Sequence, residues 1–266
     1  MLPAEPLIRL AAFAAVLALM ALWEWTSPRR PLSQSRRRRW PGNLGLVAVD
    51  TVLVRVLFPA GAVGAALLAE ARGWGFFNAV AAPGWLTGAA SVVLLDLVIF
   101  GQHVLFHRVP VLWRLHRVHH ADLDFDVTTG LRFHPVEIGL SMLIKVAAVL
   151  AIGAPAAAVL VFEVLLNTSS MFTHGNVRLP RGLDRAMRWL LVTPEMHRVH
   201  HSIIRRETDS NFGFNLSIWD RLFRTYRAQP KAGHEGMAIG IGAFRDAREL
   251  ALHRLLLQPL RRTYGA

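Results

Sequence analysis

Eight of the chain's twelve histidines are gathered in three short windows of its 266 residues. His103 and His107 stand four apart, His116, His119 and His120 form a His-x-x-His-His pattern, and His197, His200 and His201 repeat that pattern inside the same pentapeptide, His-Arg-Val-His-His. Random placement would put fewer than one histidine in three windows of five residues, so chance does not explain them. On a helix, residues three and four apart are neighbours on one face with Cβ atoms about 5–6 Å from each other, which is metal-chelating distance. In His-x-x-His-His the first ring lies near both members of the pair, while the pair point about 100° apart, so one helix can serve two adjacent ions. Eight imidazoles exceed the four ligands of a zinc ion, and two metals is the natural count. Imidazole suits iron, copper, nickel and zinc alike, which leaves the metal open. The chain contains no cysteine, excluding thiolate sites, disulfides and a cysteine nucleophile.

The elements that must position these rings read as membrane helices. Hydrophobic residues make up 53% of the chain and its mean hydropathy is +0.34, which places it in the membrane class. Apolar runs cover residues 7–23, 44–68, 85–106 and 136–172. The first is followed by Trp23, Trp25 and an arginine block instead of a small-residue cleavage site, and reads as a retained anchor. The last is interrupted at Gly153-Ala154-Pro155, where proline cannot continue a helix. It therefore predicts a helical hairpin with halves of about 17 residues, short enough that spanning and re-entrant forms both stand. Arg29, Arg30 and Arg36 to Arg39 mark the cytoplasmic side. Following the chain from there brings all the histidine clusters to one face. Thr193 and Pro194 read as the cap and first residue of a helix carrying His197 to His201. The segment 244–262 is amphipathic and suits either the headgroup plane or a packed position. The expectation is an all-α integral membrane protein of four to five transmembrane or re-entrant helices, with a cytoplasmic helical cap holding a histidine-rich dimetal site. Its divisions are N-terminal anchor helices (1–84), a histidine-rich catalytic domain (85–230) and an amphipathic tail (231–266).

Other chemistry-bearing residues carry weaker signals. His134 and His174 flank the hairpin and are candidate ligands, or groups that orient ligands. Asp96, two turns before His103, could bond a ligand imidazole or pair with Arg55. Asp122, Asp124 and Asp126 read as a solvated acidic loop before a carboxylate-bearing site. His234 and His253, isolated, read as structural. The net charge of +12 lies beside apolar spans, where basic runs meet anionic lipid headgroups, so no nucleic-acid partner is expected. There is no nucleophile elbow, phosphate-binding glycine loop or dinucleotide fingerprint, so no nicotinamide bound in this chain is expected as a source of electrons.

These residues resemble the fatty acid hydroxylase / sterol desaturase superfamily, with its three histidine boxes, over about residues 90–227. Leu112 to Leu115, Phe133 to Glu137, His174-Gly175-Asn176, Asn211-Phe212-Gly213 and Trp219 to Phe223 carry the likeness further, while Phe100 and Arg224-Thr225 depart from it. The resemblance implies a non-haem di-iron oxidoreductase of the membrane, hydroxylating or desaturating a lipid such as a sterol, fatty acyl chain, carotenoid or alkyl ether. Dioxygen would be co-substrate, and a separate electron-transfer protein the reductant. It implies metal ligation by His103, His107, His116, His119, His120, His197, His200 and His201, with His174 at a further ligand position and His134 at a recurrent one. Two rivals remain at this level. One is a membrane metal transporter, whose ligands belong near the bilayer midplane. The other is a metal-dependent lipid hydrolase, which consumes no oxygen.

Overall fold

The computed structural model describes residues 4–262. The helices are α1 (Glu5–Thr26), α2 (Arg36–Leu57), α3 (Gly61–Arg72), α4 (Phe76–Ala79), α5 (Gly84–Arg108), α6 (Pro110–His120), α7 (Pro135–Ile152), α8 (Ala156–Thr173), α9 (Arg181–Met187), α10 (Pro194–His200), α11 (Arg205–Thr208), α12 (Ile218–Leu222), α13 (Gly233–Gly236) and α14 (Leu252–Leu257). No β-strand forms among the described residues, where only isolated bridges occur. Five segments are long and apolar enough to cross a membrane: Glu5–Thr26, Arg36–Ala79, Gly84–Arg108, Pro135–Ile152 and Ala156–Thr173. Their outer faces carry exposed Leu7, Leu10, Leu19, Val52, Val56 and Leu143. Surface of that kind is covered by lipid, and the protein is an integral membrane protein with the expected all-α architecture.

The hairpin turns where the residues demand it. Gly153 adopts a positive φ of 69° at the end of α7, a conformation that costs glycine no Cβ clash, and Pro155 opens α8 from outside its first turn. Each arm has 18 residues, about 27 Å of helix and close to the hydrocarbon thickness of a bilayer. The run 44–68, read as one helix, is in fact two. Pro59 lacks the N–H an unbroken helix would need, and the chain breaks between Leu57 and Gly61. The small residues Ala62, Ala65 and Ala66 of α3 then pack closely against Leu95, Val149, Val159 and Phe162 of the spanning helices.

Helix α2 also begins earlier than hydropathy suggests, inside the arginine block. Arg39 and Asn43, one turn apart, both face the loop after α6, and Glu24 of α1 accepts from the backbone N–H groups of Val127 (2.7 Å) and Asn176 (2.9 Å). The first two helices are thus bonded directly to the polar cap. The tail lies on α2, with Leu255 packed on Leu46 and Val118. A Cβ built on Gly42 would fall 2.1 Å from the Leu250 carbonyl oxygen. Gly42→Ala is therefore expected to push the tail off α2 at a cost of about 1–3 kcal/mol, read as faster proteolysis within 244–262; an unchanged cleavage rate would contradict this packing.

Candidate metal centre

Nine histidines converge where the spanning helices meet the cap. His103, His107, His116, His120 and His200 form one group and His119, His174, His197 and His201 a second, with the potential ligand atoms of each group within 4.8 Å of one another. Each His-x-x-His-His segment divides between the groups as helical geometry requires. His116 and His120, four apart, join the first group and His119 the second; His197 and His201 join the second and His200 the first. The groups abut, with the His120 and His201 rings stacked at 4.5 Å. Thr193 caps α10 by accepting from the Met196 N–H, with Pro194 in the first turn, and this orients the third histidine set.

The hydrogen bonds behind the rings fix where their protons lie. The Nδ1–H groups of His103, His200 and His174 donate to the carbonyl oxygens of Phe212, Ser210 and Ser170, each at 2.7 Å. His116 Nδ1 donates to Glu137 Oε1 at 2.6 Å. A carbonyl only accepts, so these rings carry hydrogen on Nδ1 and turn Nε2 lone pairs inward. His174 Nε2 then faces the Nε2 atoms of His119, His197 and His201, each at 3.1 Å. In the first group, His103 Nε2 lies 3.1 Å from His116 Nε2 and 3.0 Å from His200 Nε2. Facing lone pairs repel unless a cation lies between them. Metal–nitrogen bonds of about 2.0–2.1 Å place neighbouring ligand atoms roughly 3.0–3.4 Å apart, and the donor set fits a metal in both groups. His107 Nδ1 lies 3.5 Å from Asp209 Oδ1.

Aromatic rings close the site to water. Phe133 stacks on His119 at 4.4 Å, Phe125 lies 5.4 Å from His174 and 5.1 Å from His201, and Phe212 sits against His103, His107 and His200. Burial accordingly holds the cap imidazoles neutral, pushing His116 and His174 down to about 3 and His119, His120, His197, His200 and His201 well below their usual value. An unfolded histidine gains its proton near pH 6.5, whereas His116 and His174 folded resist it to about 3. Between those values the unfolded state binds more protons, so stability falls as pH falls, by up to about 1.4 kcal/mol per pH unit for each such histidine. Chelator-treated protein is expected to melt at a lower temperature at pH 5 than at pH 7.5; equal melting temperatures would contradict a neutral cage.

His134 stands apart from both groups. Its Nδ1 accepts from the Val136 N–H, capping α7, and its Nε2 donates to the Leu256 carbonyl at 3.1 Å, tying the tail to the hairpin. His234 pairs with Glu195 at 2.8 Å and His253 is exposed, and neither joins the two histidine groups. Asp96 neither bonds an imidazole nor pairs with Arg55. It accepts from Trp219 Nε1 (2.8 Å), Asn215 Nδ2 (2.7 Å) and the Leu216 N–H (3.2 Å), locking the 215–219 segment to α5. Asp122, Asp124 and Asp126 are buried, not solvated. Asp122 and Asp126 grip Arg39, while Asp124 accepts from Ser33 and the Gln34 N–H. Arg39 and Arg132 hold the Asp122 carboxyl below the usual carboxylate range.

Asp220 has a role that composition and spacing did not assign. Its carboxylate accepts from the N–H groups of Phe212 (2.7 Å) and Gly213 (2.9 Å), fixing the backbone whose carbonyl orients His103. Asp220→Ala is expected to weaken metal retention about 10–100-fold, the usual cost of removing a ligand's support. Metal content after dialysis against graded chelator reads this, and retention equal to wild type would contradict it.

Among known proteins, the fatty acid hydroxylase family model matches residues 88–225, just over half of the chain. The chain is 29% identical over 150 residues to an ornithine lipid hydroxylase of Rhizobium tropici, covering 56% of this chain and 44% of that protein. It is 26% identical over 178 residues to the alkylglycerol monooxygenase of Xenopus tropicalis (65% and 37%) and 28% identical over 155 residues to that of Homo sapiens (56% and 33%). The chain spans less than half the length of each of these relatives. No solved structure matches it.

Proposed function

The chain belongs to the fatty acid hydroxylase family, and from that premise we propose that it is an oxygen-dependent lipid hydroxylase with two iron ions held by the two histidine groups. The observation that carries this reading is the pair of inward-facing Nε2 sets at the end of a lipid-sized cavity. That cavity, about 860 Å³, is walled by α1, α2, α5, α7 and α8 and reaches His103 and His116. Phe13, Val47, Ile99, Met142 and Leu166 give it an apolar lining suited to a hydrocarbon chain drawn from the bilayer. Both relatives' names specify lipid oxidation, of an ornithine lipid and of alkylglycerols, and either class fits a space of this kind.

Bound iron would supply dioxygen activation and attack on an unactivated C–H bond. The chain's own residues do the rest. Nine imidazoles bind, Glu137 and the carbonyls of Ser170, Ser210 and Phe212 orient four of them, and Phe125 and Phe133 exclude water. The cavity walls hold a chosen carbon beside His103 and His116. A transporter reading is disfavoured because the ligands lie at and beyond the helix ends, not along broken helices at mid-depth. We place this end of the molecule at the cytoplasmic face, since exposed Arg37 and Arg38 open α2 there.

A separate reductant is part of the proposal. Trp113 lies 5.0 Å from His107 and 5.4 Å from His120, and it also lines a surface groove in which Arg117, Arg205, Arg245, Arg261 and Arg262 outnumber Asp209, Asp246 and Glu249. Such a groove suits an acidic electron carrier. Raising ionic strength is expected to slow reduction by that carrier, and a salt-independent rate would contradict this docking. The defining experiment incubates iron-loaded protein with membrane lipid, reductant and oxygen. Lipid gaining one oxygen atom, with coupled oxygen uptake and two irons per chain, is the expected result; lipid cleavage without oxygen uptake would replace the reading with a hydrolase.

A further inference from the structure

The inner end of the cavity is rich in acceptors that no donor of the protein satisfies. Asp50 is 8% and Glu137 4% exposed, and both line the cavity. The Asp50 carboxylate makes no hydrogen bond or ion pair among the described residues, and its Oδ1 is fully enclosed. Glu137 uses Oε1 on His116, leaving Oε2 buried without a partner. Gln102, beside His103, donates its amide to Ser141 at 3.0 Å and leaves its oxygen equally unpartnered. Asp50 lies one turn beyond Leu46, which packs on Val118 in the helix of the second histidine set. All three acceptors therefore belong to the histidine end.

The outer part of the cavity is different. There Lys145 donates to Glu163 at 2.6 Å, and Arg9 bridges Glu163 and Glu5. Those charges are matched among themselves, whereas neither Asp50 nor Glu137 is paired with a lysine or arginine among the described residues. A buried acceptor with no donor costs free energy, more so when charged. A ligand that brings donors recovers that cost, whereas a hydrocarbon does not.

Building on the lipid-hydroxylase reading, we propose that the cavity selects a lipid whose polar group carries hydrogen-bond donors, hydroxyl or ammonium, received by Asp50 with Glu137 and Gln102. The lipid then lies with its polar end at the histidines and its chain along the apolar lining. The carbon presented for oxidation is in or next to the polar group, not at the chain terminus.

The test measures retention of probe lipids by purified, metal-loaded protein in detergent, using native mass spectrometry. The probes are a hexadecylglycerol ether (hydroxyl donors), its di-O-methyl derivative (no donors) and an N-hexadecanoyl diamine (ammonium). Donor lipids are expected to be retained at least about tenfold better than the methylated ether, as in sites built to pair a substrate hydroxyl. Asp50→Leu is expected to abolish the preference. Asp50→Asn separates the two sources: it removes retention of the diamine if charge is what is read, and spares the hydroxyl ether if one acceptor suffices. Equal retention of methylated and hydroxyl ethers by the wild-type protein overturns the proposal without needing any variant. So does an unchanged preference in Asp50→Leu. Failure of oxygen uptake with a retained donor lipid would instead sink the hydroxylase reading, leaving the binding preference standing.

Discussion

Replacing His174 by alanine is expected to abolish the proposed lipid oxidation and release metal from the second histidine group. His174 is fully buried, and its Nε2 is the atom common to three 3.1 Å approaches, from His119, His197 and His201. Its own Nδ1–H is spent on Ser170, so no tautomer shift lets another atom take over. Loss of a supporting residue costs about 10–100-fold in metal affinity, and loss of a ligand costs more. The lipid product should fall at least about a thousandfold, or roughly 4 kcal/mol of barrier. Iron analysis should show the loss, while circular dichroism of the detergent-solubilised protein should remain helical. His134→Ala provides the contrast: both of its ring nitrogens serve α7 and the tail, so iron should be retained while the tail loosens. Iron lost equally in both variants would contradict the partition of the ten histidines into nine that converge and one that braces.

Arg39→Met is expected to be nearly as severe, although Arg39 touches no histidine. Its guanidinium is fully buried and bonds Asp122 through two nitrogens at 2.8 Å each, Asp126 at 2.6 Å and Thr129 at 3.0 Å. Methionine fills much of the same volume but leaves two carboxylates enclosed, with Arg132 at 3.8 Å from Asp122 the one cation remaining beside them among the described residues. Breaking one side of a buried ion pair costs about 3–5 kcal/mol. The loop at stake leads from His119 and His120 to Phe125, which covers His174 and His201. Melting should drop by more than about 6 °C, and metal retention should fall with it. Arg39→Lys, which keeps the charge without the planar fork, should lie between. Arg37→Met, at an exposed neighbour, should match wild type; if Arg37 and Arg39 behave alike, the buried pairing is not what holds the loop.

These two residues also mark how far the linear chain can be read. The hairpin, its turn at Gly153 and the Thr193 cap were legible because proline, glycine and capping residues act on their own neighbours. Arg39 was not, being one of six arginines that look alike until Asp122, 83 positions later, selects it. The three aspartates passed for a solvated loop for the same reason, since a carboxylate's surroundings are set by whatever folds over it. Asp96 was expected to meet a ligand imidazole or Arg55 and takes neither, because Trp219 and Asn215, more than 100 positions on, donate to it instead. The break at Pro59 was visible in principle, but an apolar run of the right length outweighed it.

Residue types and spacing pointed to eight of the nine histidines that converge and suggested two ions, because i, i+3 and i, i+4 relations are properties of a single helix; His174 and His134 looked alike until the fold drew one in and left the other out. Which ring faces which, and with its lone pair inward, rests on the carbonyls of Ser170, Ser210 and Phe212. A backbone oxygen has no signature in a string of side chains, so that choice exists only once distant segments have packed. The unpaired carboxylate of Asp50 belongs to the same class, since a missing partner is a fact about space.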